Sequence, residues 1–192
     1  MYVRTVPPNE AEGSVKAMYE RAQASEGYLP NQVQLFSLNP EARAAWRQLV
    51  EAMTATMEDR RYELVALAAA ATVRCRYCVS AHAAVIMASE YFDRAQTEEI
   101  ARDFHTAGAL DRTDVAVMAF AEKVATDANK VAPEDIDHLR AHGLSDREIF
   151  DVTLAAAARV FYSKVLQAMD AEPDEALAAT NGLVDLIERS PG

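Results

Sequence analysis

Apolar residues recur at helical spacing from one end of the chain to the other, and no segment keeps the two-residue alternation of a β-strand. Alanine supplies much of the 51% hydrophobic content, whereas aromatic residues make up only 7%. Small side chains of this kind favour closely packed helices over a β-sandwich. The sequence therefore predicts an all-α fold of about eight to ten helices in a compact multi-helix domain.

Capping residues, prolines and glycines mark where these helices begin and end. Asn39 before Pro40 predicts one helix start, and Ser145 with Glu148 forms a capping box before a long helix. We expect one domain over 1–192, with a core motif at 59–90 and a degenerate second half at 111–170. The expected helices cover 9–25, a segment from 40, 59–73, 75–90, 97–105, 111–127, 133–143, 146–169 and a last one from Pro173. The helix from 40 should carry Trp46, Leu49, Val50 and Met53 on one face.

Two alanine-rich stretches resemble each other, at 59–73 (DRRYELVALAAAATV) and 146–160 (DREIFDVTLAAAARV). Both an internal structural repeat and a shared composition explain the likeness. If it is a repeat, only the first copy carries cysteines. In either case the small side chains let helix backbones approach, so we expect these two helices to cross in the centre of the domain.

Charge and hydropathy indicate a cytoplasmic protein. The formal net charge of −11 argues against nucleic acid or an anionic membrane as the main partner. The start, MYVRTVPPNE, has no apolar stretch typical of a secretory signal, and the longest apolar run, 64–73, is too short to span a bilayer. In a reducing compartment, two close cysteines are expected to be catalytic or metal-binding rather than a permanent disulfide.

Both cysteines of the chain lie in RCRYCVSAH, residues 74–82. If a helix begins near Cys75, then Cys75, Cys78 and His82 lie along one face, with Cys78 next to the other two. The N–H groups at the helix start, an imidazole that accepts a proton, and the charges of Arg74 and Arg76 all favour a thiolate. Cys75 is then placed to attack an oxidised Cys78 and close a disulfide.

Glu63, twelve residues before Cys75, is the candidate that would orient His82 as a general base. It lies near the N-terminal end of the alanine-rich helix and could fold over the next helix to reach the imidazole. The alternative is a solvated acid that complements the helix dipole. Periodicity alone does not separate these two interpretations.

The pattern Glu63, eleven residues, Cys75-x-x-Cys78, three residues, His82 resembles the active site of the alkyl hydroperoxidase D-like family, in the carboxymuconolactone decarboxylase superfamily. The resemblance is close over 49–88 and looser through 111–165. It implies a helical homo-oligomer without a cofactor that reduces organic hydroperoxides in an antioxidant role. It also implies that Cys78 is the peroxidatic thiol, Cys75 the resolving thiol, and His82 with Glu63 the proton relay. A dithiol reductant, such as a lipoyl or thioredoxin-like protein, would return the electrons.

Tyr77 departs from the pattern of that family. In the alkyl hydroperoxidase D proteins proper, the residue before the second cysteine is a second histidine, thought to serve the first cysteine. A phenol donates a hydrogen bond but is a poor base near neutral pH. The substitution therefore bears on how readily Cys75 ionises.

Other interpretations of the same residues stay open. Zinc bound by the two cysteines, His82 and Glu63 is one, although structural zinc usually recruits a second pair of Cys or His ligands. Two inert buried thiols beside a core histidine are another. A thiol-disulfide oxidoreductase without peroxidase activity would share all these residues. A lactone decarboxylase would not call for a dithiol, and a non-catalytic oligomeric protein would have slowly reacting thiols.

Overall fold

The computed structural model describes residues 1–180 and 182–183, and all regular structure within that part of the chain is helical. None of the described helices is both long and apolar enough to cross a membrane. The predicted all-α fold is confirmed. Nine α-helices lie in the described part: α1 (Gly13–Glu26), α2 (Asn31–Leu35), α3 (Pro40–Thr54), α4 (Asp59–Thr72), α5 (Arg76–Ala88), α6 (Arg94–Asp103), α7 (Arg112–Asp127), α8 (Pro133–Ala141) and α9 (Asp146–Ala168).

Helix α4 is the centre of the domain. It packs against α5, α7 and α9, and every residue from Leu64 to Ala70 is buried. Alanine side chains keep this helix thin, so three neighbours approach its backbone at once. The two alanine-rich helices, α4 and α9, pack against each other in the centre of the domain as expected, and Val152 and Ala156 in the alanine-rich part of α9 have no exposed surface.

Most predicted helix starts agree with the structure because a capping side chain bonds to the backbone only a few residues further along the chain. The side chain of Asn39 accepts a hydrogen bond from the backbone N–H of Ala42 at 2.9 Å. Ser145 and Glu148 form the expected capping box at the start of α9.

The first and last predicted helices differ from the structure. A 3-10 helix, Pro8–Glu10, begins at the second of two consecutive prolines, and α1 begins only at Gly13. After Pro173, the described chain forms a 3-10 segment at Glu175–Thr180 instead of an α-helix, and the rest of that prediction lies outside the described residues. Helix α6 starts before the predicted residue 97 because Asp93 and Gln96 form a capping box.

A tight turn joins α4 to α5 and positions the cysteine segment. Arg74 adopts a left-handed conformation with φ of 55°, and the N–H of Cys75 donates back to the carbonyl of Ala70 at 2.9 Å. The side-chain amide of Gln167 in α9 donates to the carbonyls of Val73 and Arg74 at 2.8 and 3.1 Å. The turn folds α5 back along α4, so side chains of the two helices meet.

Candidate active site

The two cysteines occupy the start of α5. Cys75 is the residue that caps the helix, and Cys78 lies in its first turn. Both are free thiols, 1% and 2% exposed, and they lie 3.3 Å apart. Such an approach allows a disulfide to form with little movement of the backbone.

His82 and Glu63 are in direct contact across the α4–α5 interface. The Nδ1 atom of His82 lies 2.6 Å from Oε2 of Glu63, and the two side chains are 9% and 12% exposed. Since a carboxylate only accepts, Nδ1 carries a proton in this contact, and in the neutral imidazole Nε2 is then the acceptor. Glu63 is therefore a largely buried partner of the imidazole and not the solvated acid of the alternative interpretation.

Arg159 of α9 is a part of this site that the sequence interpretation missed. Its guanidinium is buried; Nη1 lies 3.9 Å from Sγ of Cys78, and Nη2 donates to the hydroxyl of Tyr62 at 3.1 Å. Among the described residues it forms no ion pair with a carboxylate. The sequence signal that could have indicated it is the single arginine in the apolar stretch LAAAARVFY. Arginine is almost never fully buried unless it is paired, so an arginine in such a stretch is expected to have a specific partner.

The surroundings of the two thiols lower the pKa of Cys78 and raise that of Cys75. A hydrogen bond from the Cys75 thiol lowers the pKa of Cys78 most, and the charge of Arg159, the Ser163 hydroxyl and His82 lower it further against the opposing effect of burial. Donating that hydrogen bond, together with burial, raises the pKa of Cys75. Cys78 is thus the thiol that ionises first.

The sequence did not indicate the cation that contacts the reactive thiol. Arg74 and Arg76, on either side of Cys75, were expected to favour the thiolate by their charge. Arg159 of α9 adds a further cation, whose Nη1 atom lies 3.9 Å from Sγ of Cys78. A buried guanidinium is screened less by solvent than an exposed one, so its effect on a neighbouring thiol is larger.

The hydroxyl of Tyr77 forms structural hydrogen bonds and does not act as an acid or base for the thiols. That hydroxyl donates to the carboxylate of Asp174 and accepts from the backbone N–H of Gln32 at 3.4 Å. Burial and the Asp174 carboxylate raise the pKa of Tyr77, so it stays a neutral phenol. It ties α5 to α2 and to the segment after α9.

A cavity of about 900 Å³ opens onto the reactive thiol. Cys78, His82 and Arg159 are in its wall, whereas Cys75 is not. Side chains of α1, α2, α3, α4, α5, α9 and the segment after α9 form the wall, and most are apolar or aromatic, including Met18, Val33, Trp46, Val50, Val85 and Tyr162. The volume suits a bulky organic molecule.

The described residues offer no obvious metal centre. No three His, Cys, Asp or Glu side chains among them are grouped as a metal site requires. The zinc interpretation of the cysteine segment therefore gains no support from the arrangement of these side chains.

The chain is similar in sequence to a known family and to a known protein. Residues 40–102 match the carboxymuconolactone decarboxylase family. The chain is 31% identical over 134 residues to the alkyl hydroperoxide reductase Rv2159c of Mycobacterium tuberculosis. That alignment covers 69% of this chain but 38% of the longer relative.

Solved structures share the fold over nearly the whole chain. The alkylhydroperoxidase AhpD core, a peroxidase-related protein from Ralstonia eutropha JMP134, has a TM-score of 0.83 at 20% identity, covering 92% of this chain and 93% of the other. A peroxidase-related protein from Silicibacter sp. TM1040 has a TM-score of 0.78 at 20% identity, covering 92% and 91%. The debrominase Bmp8 has a TM-score of 0.75 at 19% identity, covering 95% and 96%.

The family match covers only part of the site. Residues 40–102 contain both cysteines, His82 and Glu63, while Arg159 lies outside that range. Residues 40–102 thus match the carboxymuconolactone decarboxylase family, and the fold of the chain is that of the alkyl hydroperoxidase D-like, peroxidase-related proteins.

Proposed function

We propose that the protein is a dithiol peroxidase that reduces organic hydroperoxides through Cys78 and Cys75. One observation carries the proposal: the thiol with the lowered pKa faces a large apolar cavity, and a second thiol lies 3.3 Å behind it. A thiolate at the floor of an apolar cavity suits attack on an organic peroxide.

In the first step, Sγ of Cys78 attacks the terminal oxygen of the hydroperoxide. An S–O bond forms as the O–O bond breaks, which oxidises the sulfur to a sulfenic acid and reduces the peroxide to an alcohol. His82 takes the thiol proton through Nε2 and returns it to the leaving oxygen, while Glu63 holds the imidazole in the required tautomer. Arg159 stabilises the thiolate and the charge that develops on the leaving oxygen.

In the second step, the sulfur of Cys75 attacks Sγ of Cys78. The S–O bond breaks, water leaves with the thiol proton of Cys75, and a disulfide forms. An external dithiol, a lipoyl or thioredoxin-like protein, then reduces the disulfide by exchange and becomes oxidised itself. We place this cycle in the cytoplasm, where such dithiols are kept reduced, and assign it an antioxidant role.

Single-turnover stoichiometry tests this proposal. Reduced protein mixed with an equivalent of cumene hydroperoxide, with no other reductant, should yield one cumyl alcohol per chain. A thiol-disulfide oxidoreductase would instead exchange with disulfide substrates and leave the hydroperoxide intact. The test is needed because the fold also occurs in a debrominase.

Arg159→Met should shift the reactivity of Cys78 to higher pH. Removing the neighbouring cation is expected to raise the pKa of this thiol by about one to three pH units. The measurement is the pH profile of alkylation by iodoacetamide, in which the wild-type rate should level off well below the ordinary thiol pKa of about 8.5. Arg159→Lys keeps the charge and should restore part of the low-pH reactivity. An unchanged profile in a folded Arg159→Met protein would show that the guanidinium does not set the acidity of Cys78.

We also propose that the protein self-associates through the outer face of α9. Phe150 and Phe161 are 62% and 59% exposed, and Leu154 and Ala157 lie between them on the same face. Exposed aromatic residues in such a stripe are typical of interfaces. Light scattering should therefore give a mass of at least two chains, and Phe161→Asp should lower this mass. A monomer at micromolar concentration would contradict this proposal.

A further inference from the structure

Arg43 is a half-buried cation in the wall of the cavity, and no carboxylate of the described residues pairs with it. Its guanidinium lies 5.8 Å from the centroid of the Tyr162 ring. No ion pair or hydrogen bond of this side chain is present among the described residues. An arginine held over an aromatic ring, with its donors unused and facing a cavity, is suited to bind an anion.

The other charged side chains of the cavity rim are paired or exposed to solvent. Arg47, one turn after Arg43 on α3, pairs with Glu51 at 3.2 Å. Arg21, Glu26 and Glu41 are exposed, so solvent screens their charges. Arg43 therefore differs from its neighbours in having neither a partner nor full exposure to water.

The buried cation of the same cavity already has a role. Arg159, 5.6 Å from the centroid of the same Tyr162 ring, contacts Cys78 and Tyr62. Burial raises the pKa of Tyr162 to about 12, and its hydroxyl donates to Gln32 at 2.7 Å, so the phenol is neutral and held near both arginines. One cation thus serves the thiol, and the other is available to a ligand.

We propose that Arg43 binds the carboxylate of an amphipathic hydroperoxide, whose apolar body fills the cavity and whose peroxide group reaches Cys78. The substrate class is then fatty-acid hydroperoxides and similar acidic organic hydroperoxides. The part of this inference that concerns the peroxide group of the substrate rests on the proposed function. The part that concerns its carboxylate rests on the geometry of Arg43 alone.

The kinetic test compares linoleic acid hydroperoxide with its methyl ester, which differs only at the carboxyl group. The wild-type protein should favour the acid in kcat/KM by about tenfold, mainly through KM, as expected for a charge-assisted hydrogen bond. Arg43→Gln should abolish this preference, and Arg43→Lys should keep part of it. Arg47→Gln, on the same helix and rim, should keep all of it. A preference that survives in Arg43→Gln, or its absence in the wild type, overturns the proposal.

A binding test separates this inference from the peroxidase proposal. Trp46 is the single tryptophan of the chain and lies in the cavity wall, so its fluorescence reports on a bound ligand. Oleic acid and methyl oleate, titrated below their critical micelle concentrations, carry no peroxide group. The acid should bind about tenfold more tightly, and this difference should vanish in Arg43→Gln. If hydroperoxides are not reduced but oleic acid keeps its advantage, the peroxidase proposal fails and the carboxylate site stands. Equal binding of acid and ester overturns the carboxylate site.

Discussion

Cys78→Ser should reduce hydroperoxide turnover to the uncatalysed background. A serine hydroxyl is not ionised at neutral pH, so none of the surrounding groups can make it a comparable nucleophile toward peroxide. The replacement is nearly isosteric and the site is buried, so the helical fold should survive. The measurement is hydroperoxide consumption in single and multiple turnover, with circular dichroism as the control for folding.

Cys75→Ser provides the matched control for this prediction. Cys75 lies outside the cavity wall and has the raised pKa, so its loss should spare the first turnover and block the repeated ones. The two variants thus separate attack on the peroxide from resolution of the sulfenic acid. If Cys78→Ser keeps its first turnover while Cys75→Ser loses it, the roles of the two thiols are reversed.

His82→Ala should slow peroxide reduction by about a hundred-fold, the usual size of general-base help. The same variant should raise the pKa of Cys78, since His82 is among the groups that lower it. Glu63→Gln should cost a comparable factor, because the 2.6 Å contact with Nδ1 fixes the tautomer that leaves Nε2 free. Stopped-flow measurement of the first turnover, as a function of pH, reports both effects.

The double variant tests whether Glu63 and His82 act together. If the carboxylate works only through the imidazole, adding Glu63→Gln to His82→Ala should cost little more. An unchanged rate in Glu63→Gln would instead mean that the contact is structural. The thiolate would then owe its formation to Cys75, Arg159 and the start of α5.

The parts of the fold that local chemistry decides were predictable from the sequence. Asn39 and Ser145 cap their helices with side-chain hydrogen bonds that need only the next three residues. The buried alanine run of α4 indicated a central helix because small side chains leave room for several neighbours. Where no side chain caps the helix, as at the start of α1, the predicted boundary was wrong: residues 8–10 form a 3-10 helix and α1 begins at Gly13.

The site was predictable only where its residues share one helix. The spacing of Cys75, Cys78 and His82 places them together by helical geometry alone. Glu63 meets His82 only because the turn at Arg74 folds α5 onto α4, and sequence spacing carries no information on that angle. Arg159 is 81 positions from Cys78 in the chain, so its contact depends on how α9 packs against α5.

The measurement that tests the dithiol cycle most directly is the intact mass of reduced protein after reaction with one equivalent of an organic hydroperoxide. The wild-type chain should lose two hydrogens and then resist alkylation at both cysteines, because Cys75 and Cys78 have formed a disulfide. Cys75→Ser should instead gain one oxygen, the sulfenic acid of Cys78. Two thiols that remain free and alkylate fully after exposure to the hydroperoxide would contradict the account.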